Sequence, residues 1–215
     1  MEHDRFTARL EAFSDLVFGF SLSLLATRLD VPARVEEVFE PGRWLAIIIT
    51  FGLVCRFWFE HYRIFRHRFI AGTFDAIVNF VFLFAIAVLP YAVQTFMHFR
   101  LGLTSFGLYV GDFCLILLAL GTLRVRSLWQ RRAEPEPEAR LGEWRRSLLQ
   151  FAIALLMVGL IVGLKIHGGP FNQAMGDLDA FVVAAFLIVL AAIRWSIRRL
   201  PNALGGRTVA GEPVE

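Results

Sequence analysis

Residues 148–164 read LLQFAIALLMVGLIVGL, an apolar stretch of 17 residues in which Gln150 is the one polar side chain. Helices in the core of soluble proteins seldom run so long without a polar face. A helix that crosses a lipid bilayer, by contrast, needs about 20 mostly apolar residues. The stretch therefore predicts a membrane-spanning helix, and it sets the criterion by which the rest of the chain is divided.

Five further stretches meet that criterion, so we predict six spans. They lie at residues 10–29, 44–62, 76–97, 103–123, 147–166 and 178–194. Lipid offers the backbone no hydrogen-bonding partner, so such segments cross it as helices. We therefore expect an all-α polytopic membrane protein whose residues 1–200 form one six-helix transmembrane domain. Residues 201–215 contain Gly205-Gly206 and no apolar periodicity, and we expect a disordered tail there.

The composition supports this fold class and excludes others. Hydrophobic residues make up 57% of the 215 residues without counting glycine. Soluble domains reach about 45–50% with glycine included, so an ordinary soluble enzyme is not expected. The net charge of +3 is too small to indicate a nucleic-acid partner. Cys55 and Cys114 lie within apolar runs without metal-ligand spacing, so we predict neither a metal site nor a bound cofactor.

The positive charges orient the predicted spans. One set of span ends carries 16 arginines, and the other carries four arginines and the single lysine. The positive-inside rule then places both termini in the cytoplasm of a multi-pass cell-membrane protein, which an odd number of spans would not allow. The mixed charges of residues 1–5 and the lack of a small-residue cleavage site predict that the first span is retained.

The connections between spans are too short for an extramembrane catalytic domain. The longest predicted cytoplasmic connection runs from Arg124 to Arg146 and contains the sequence AEPEPE at residues 133–138. Proline restricts the backbone and removes hydrogen-bond donors, so we expect an extended, solvated spacer at this point.

Ionisable residues inside spans are costly and mark either a functional site or a structural ion pair. Arg56 and Glu60 are spaced i, i+4 on one predicted helix, so they can pair with each other without a ligand. Asp112 lies near the middle of the fourth span and has no partner on its own helix. Its carboxylate must therefore face other protein or water.

The start of the first span carries a second polar group. Arg9 and Asp15 are six residues apart, about 120° round the helix, so they cannot form the usual intrahelical pair. Asp15 needs donors from another element, and the inner end of the second span offers His61 and Arg63, with Trp58 one turn deeper. Such a cluster is a functional site or simply fixes helix packing, and spacing alone leaves both readings open.

The remainder of the first span has two stripes. Leu16, Phe20, Leu24 and Thr27 share one helical face, and Gly19, Ser23 and Ala26 form a neighbouring stripe of small residues. Small residues at this spacing let another helix approach closely in a membrane. The pattern suits a helix at the centre of a symmetric assembly, and it equally suits a helix buried within a monomeric bundle.

The run from Arg9 to Asp15, Arg-x-x-x-Phe-Ser-Asp, resembles the motif of the TMEM175 family, whose prokaryotic members are potassium-permeable channels. The match consists of Arg9, Phe13, Ser14 and Asp15 at the inner end of the first span. Trp58-x-x-His61 followed by Phe65 in the second span supports it, as do Asn79 and Pro90 in the third. The single copy of the motif resembles the prokaryotic form, in which four six-span subunits surround one pore.

The resemblance implies a homotetramer in the lipid bilayer that conducts potassium passively, with the first helix of each subunit lining the pore. By offset from the motif, the hydrophobic constriction falls at Phe20, Leu24 and Thr27, and a polar layer falls at Ser23. Phe20 stands at a usually aliphatic position, Ser23 replaces a usual threonine, and Thr27 stands where some relatives carry leucine. The resemblance further implies that Arg9, Ser14 and Asp15 hold the pore helix against the second and third spans.

Two other classes of function compete with a channel. A proton-coupled secondary transporter would use an intramembrane carboxylate such as Asp112, Asp15 or Glu60, but Pro90 has no counterpart at depth in the second half of the chain. A membrane-embedded enzyme would need converging nucleophile, base or metal ligands. No His-x-x-His or Gly-x-Ser-x-Gly arrangement lies at a predicted membrane face, so an enzyme is not expected.

Overall fold

A computed structural model describes residues 2–27, 41–66, 69–99, 103–130 and 137–166. Its regular elements are all helices. They are α1 (Glu2–Thr27), α2 (Pro41–Phe65), α3 (Thr73–His98), α4 (Leu103–Gln130) and α5 (Pro137–Ile166). The all-α prediction is therefore confirmed for these ranges, whereas the predicted sixth span at 178–194 and the tail at 201–215 lie outside them.

The helices are longer than the predicted spans. α4 continues seven residues beyond the predicted end at 123, and α5 begins ten residues before the predicted start at 147. The predicted spacer at 133–138 is thus wrong at its end, because Pro137 opens α5. Proline is tolerated in the first turn of a helix, where its missing N–H has no intrahelical acceptor. An apolar run marks only the part of a helix that has to lie in lipid, so it underestimates the length of the helix.

Three of the described helices are long and apolar enough to cross a membrane by length and composition. Their candidate spans are Thr73–Phe96, Thr104–Gln130 and Leu141–Gly163. These spans correspond to the third, fourth and fifth spans predicted from sequence. α1 and α2 carry charged side chains within their apolar stretches, among them Glu11, Asp15, Arg56 and Glu60.

α3 and α4 form the centre of the bundle. α3 packs against α4, α4 packs against α5, and α1 lies across α3 and α2. The fully buried side chains of α3 and α4 repeat at i, i+4 and i+7, which places them on one face of each helix. They are Phe82, Ile86 and Leu89 on α3 and Ile116, Leu120 and Leu123 on α4.

The connection between α2 and α3 is fixed by side chains from three helices. The N–H of Ile70 donates to Gln130 Oε1 at 3.0 Å, and the N–H of Ala71 donates to Thr7 Oγ1 at 3.0 Å. Gly72 donates to the Asp75 carboxylate at 2.9 Å, and Arg126 Nε on α4 donates to the same carboxylate at 2.9 Å. The ends of α1, α3 and α4 therefore meet at this connection.

Candidate functional site

α1 has one face buried in the bundle and one face exposed. The buried residues recur at helical spacing and are Leu10, Ser14, Phe18, Ser21 and Leu25. On the opposite side, Leu16 is 72% exposed and Phe20 is 60% exposed. Nothing in the described chain lies within 4 Å of a Cβ built on Gly19. The side chains of Leu16 and Phe20 and the neighbouring Gly19 are thus left uncovered by the described helices.

Two of the residues expected at the constriction, Phe20 and Ser23, lie on this exposed side, and Leu24 is half-buried. Ser23 Oγ donates to the backbone oxygen of Gly19 at 3.0 Å, so the hydroxyl bonds within its own helix. Thr27 ends α1, and its side chain lies outside the described part of the structure.

A chain of hydrogen bonds joins the buried face of α1 to α3 and α2. Ser14 Oγ donates to the Leu10 carbonyl at 2.7 Å and accepts from Asn79 Nδ2 at 3.0 Å. The carboxamide oxygen of Asn79 lies 2.8 Å from His61 Nε2, and because that oxygen can only accept, Nε2 carries the proton. Ser14, Asn79 and His61 are all buried. We call these three residues the Ser–Asn–His network.

Aromatic rings enclose His61. Its ring stacks on Phe82 with centroids 5.4 Å apart and on Phe65 with centroids 4.5 Å apart, and Phe18 lies at 5.9 Å. The imidazole of His61 therefore contacts side chains from α1, α2 and α3. These ring contacts and the hydrogen bond to Asn79 together fix its position.

Asp15 obtains its donor from α2. Trp58 Nε1 donates to Asp15 Oδ1 at 2.8 Å, and the Trp58 ring stacks on Tyr62 with centroids 5.8 Å apart. Of the three side chains considered from sequence, Trp58 makes this bond. His61 bonds to Asn79 and Arg63 bonds to Glu143 instead.

Two members of the motif lie at the edge of the site. Phe13 is exposed, and its ring meets Phe80 of α3 edge-on with centroids 5.8 Å apart. Arg9 is exposed, and within the described residues it makes no hydrogen bond or ion pair. Its predicted part in holding α1 stays a prediction.

Sequence reasoning missed a group of charged side chains between α2, α4 and α5. Arg56 and Glu60 pair at 2.8 Å as their spacing predicts, but the Glu60 carboxylate also accepts from the buried Arg124 on α4. Glu143 on α5 contacts Arg63 at 2.9 Å, Arg146 at 2.9 Å and Arg124 at 3.2 Å. We call these six residues the arginine–glutamate cluster. Glu60 and Arg124 are 64 residues apart, and no local pattern links them.

Asp112 is 8% exposed, and its Oδ2 has no hydrogen-bond partner among the described residues. The expectation was that its carboxylate faces other protein or water, and the side chain is buried within the described bundle. Across the same residues, no group of three or more His, Cys, Asp or Glu side chains is arranged to hold a metal ion.

A family model described as the endosomal/lysosomal potassium channel TMEM175 matches residues 9–90. The matched segment begins at Arg9 of the motif, includes the Ser–Asn–His network and ends at Pro90. This part of the chain resembles the TMEM175 family. Because TMEM175 is a family of channels, the prediction that the chain is not an enzyme is confirmed.

Relatives of known name support the TMEM175 assignment. A potassium channel of Streptomyces collinus is 22% identical over 188 residues, which cover 81% of this chain and 89% of that protein. A potassium channel of Marivirga tractuosa is 26% identical over 92 residues, which cover 42% of this chain and 37% of that protein. The second match thus spans little more than a third of its relative.

The fold is similar to that of a solved member. A crystal structure of a variant of the potassium channel MtTMEM175, in complex with a nanobody–MBP fusion, superposes with a TM-score of 0.65. The match covers 89% of this chain and 92% of that chain at 14% sequence identity. At this identity the likeness shows a shared fold.

Proposed function

We propose that the chain forms a homotetrameric channel that passes potassium ions passively across the membrane. In this proposal the first helix of each subunit faces the symmetry axis. Phe20, Leu24 and Thr27 form the constriction, and Ser23 forms a polar layer beside it. Potassium is the permeant ion, and conduction requires no bound cofactor.

The exposed side chains of Leu16 and Phe20 on α1 carry the proposal. Leu16 and Phe20 stand outside the described bundle, while the opposite face of the same helix is held by buried polar bonds. Further subunits would cover the stripe and the open space at Gly19. The family description and the names of the relatives, all of them potassium channels, supply the identity of the ion.

The stripe determines the kind of selectivity expected. It holds no charged side chain, so the pore would select by its diameter and by how readily its apolar wall sheds water. Four phenyl groups at one level would narrow the pore. We therefore expect a modest preference for cations without strong discrimination between potassium and sodium, and a conductance limited at Phe20.

Potassium flux into liposomes tests the proposal. The full chain should pass potassium down a gradient above the level of empty liposomes, and Phe20→Ala should increase the flux several-fold because it widens the narrowest level. Phe84→Ala is the matched control, since Phe84 on α3 is 66% exposed and its loss removes the same ring elsewhere. No flux from intact tetramers, or equal effects of the two variants, would contradict the proposal.

The orientation belongs to the same proposal. We place the chain in the cell membrane of a prokaryote with both termini in the cytoplasm, supported by the arginine distribution and by bacterial relatives. A cysteine added before Met1 should react with a thiol-specific label that is applied from the cytoplasmic side. Labelling from the outside would overturn the orientation without affecting the channel.

A second candidate function is a proton-coupled carrier that uses Asp112. The observation that favours this candidate is that Oδ2 of this buried carboxylate has no hydrogen-bond partner among the described residues. A passive channel predicts that Asp112→Asn leaves potassium flux within about twofold, because the residue lies on α4 and outside the proposed pore. Saturable exchange that Asp112→Asn abolishes would establish the carrier instead.

A further inference from the structure

The arginine–glutamate cluster has more positive than negative groups. Glu60 is shared by Arg56 and Arg124, and Glu143 is shared by the guanidinium groups of three arginines. Among the described side chains, four arginines therefore surround two glutamates, which leaves an excess of two positive charges. A purely structural ion-pair network has no need of this excess.

The buried members of the cluster balance one another in charge, whereas the exposed members carry the excess positive charge. The side chains of Arg124 and Glu60 are 4% and 7% exposed, and Arg124 also donates to Gln150 at 3.1 Å. By contrast, the Arg56 side chain is 68% exposed and that of Arg146 is 45% exposed. The buried charges thus compensate one another, and the surplus is displayed on the outside of the described bundle.

If α5 crosses the membrane along its candidate span Leu141–Gly163, this surplus lies near the level of the lipid headgroups. Arg63 lies in the last turn of α2, and Glu143 and Arg146 lie near the start of the candidate span Leu141–Gly163. Arg56 is two helical turns deeper, about 10 Å, but its guanidinium reaches along the helix to Glu60 and so points toward the same end. Arginine at this depth orients its charge toward the interface.

We propose that the arginine–glutamate cluster binds the phosphate of an anionic lipid headgroup. Arg56, Arg63 and Arg146 present guanidinium donors that match phosphate oxygens in geometry and charge. Glu60 and Glu143 hold three of these donors and Arg124 in fixed positions, so little side-chain freedom is lost on binding. The site requires only that the protein lies in a membrane, and it does not depend on the proposed channel activity.

Binding of phosphatidylglycerol to the purified full chain, measured by native mass spectrometry against phosphatidylcholine, tests the proposal. The test variant is Arg56→Gln combined with Arg146→Gln. Each arginine near an anionic headgroup contributes about 1 kcal/mol, so we expect the double variant to bind phosphatidylglycerol about 25-fold more weakly. Glu60 keeps Arg124, and Glu143 keeps Arg63 and Arg124, so the variant should fold.

Arg66→Gln is the matched control. Arg66 is exposed in the turn after α2, at the same end of the bundle, but it is not part of the cluster. It should change phosphatidylglycerol binding by less than about twofold. Equal losses from Arg66→Gln and the double variant would overturn the proposal, since only general surface charge would then be at work.

One further outcome would also overturn it. Competition by inorganic phosphate at the same concentration as the lipid would identify a site for free phosphate. Thermal unfolding of each variant, unchanged within a few degrees, confirms that binding and not folding is being compared.

Discussion

Asn79 Nδ2 donates to Ser14 Oγ across 3.0 Å, and this bond ties α3 to the buried face of α1. The same amide group accepts from His61 on α2, so one side chain connects three helices. In a membrane, where no hydrophobic force drives helices together, hydrogen bonds of this kind contribute to association. The face of α1 opposite the exposed stripe is thereby fixed.

Ser14→Ala should destabilise the protein by about 1 kcal/mol, because it leaves Asn79 Nδ2 buried without an acceptor. Thermal unfolding in detergent measures the change. Ser23→Ala is the control, since the exposed Ser23 hydroxyl bonds only to Gly19 of its own helix. It should shift stability by less than about 0.5 kcal/mol. Equal effects of the two variants would show that the interhelical bond contributes nothing.

Trp58 and Asp15 should be energetically coupled. Trp58→Phe removes the indole donor 2.8 Å from Asp15 Oδ1 but keeps a ring beside Tyr62. A double-mutant cycle with Asp15→Ala should give a coupling energy of about 0.5–1.5 kcal/mol, since one partner is charged. Asp15→Asn retains the acceptor and should lose less stability than Asp15→Ala. A coupling energy of zero would mean that the contact is incidental.

Arg124→Gln should be the most disruptive single change in the arginine–glutamate cluster. It leaves two glutamates with less compensation in a buried setting, and breaking a buried ion pair in this way costs about 3–5 kcal/mol. Arg56→Gln removes a largely exposed partner of the same Glu60 and should cost less than about 1 kcal/mol. Chemical or thermal unfolding distinguishes the two, and the reverse order would contradict the burial pattern.

Gly121→Ala should loosen the contact between α4 and α5. A Cβ at this position would lie 3.1 Å from Phe151 Cζ and 3.3 Å from both Cε atoms, so the ring must move. Overpacking of this kind costs about 1–3 kcal/mol. Phe151→Leu in the same chain should recover part of the loss. Gly111→Ala on the same helix meets nothing within 4 Å in the described chain and should be tolerated.

Gly19→Leu separates folding from assembly. The site on α1 is open in the described chain, so the subunit should keep its helical content. If α1 lies at the centre of a tetramer, the added side chain should shift the protein toward smaller species in size-exclusion chromatography with light scattering. An unchanged oligomer would argue against a central α1.

The sequence predicted the helices better than the contacts between them. Long apolar runs located α1 to α5, because lipid demands such runs wherever a helix crosses. The same runs underestimated α4 and α5, since charged and proline-containing ends continue these helices beyond the apolar part.

The polar site was predictable to different degrees. The geometry of α1 showed that Asp15 needs a donor from another helix, and the structure supplies Trp58. Asn79 entered only through the family resemblance, and its bonds to Ser14 and His61 span 65 and 18 residues. The sequence analysis placed Arg124 in the connection after the fourth span, whereas it is buried on α4, because its burial depends on how α2, α4 and α5 pack and not on its neighbours in sequence.

The connection between α2 and α3 has an irregular backbone, yet its N–H groups at residues 70–72 all donate hydrogen bonds. Three successive N–H groups, those of Ile70, Ala71 and Gly72, donate to side chains of α4, α1 and α3 in turn. An amide exchanges its hydrogen with solvent only when its bond opens, so these three should exchange slowly and together, unlike those of an ordinary loop. Deuterium uptake at residues 70–72, which lack secondary structure, would then show whether the ends of α1, α3 and α4 are still joined.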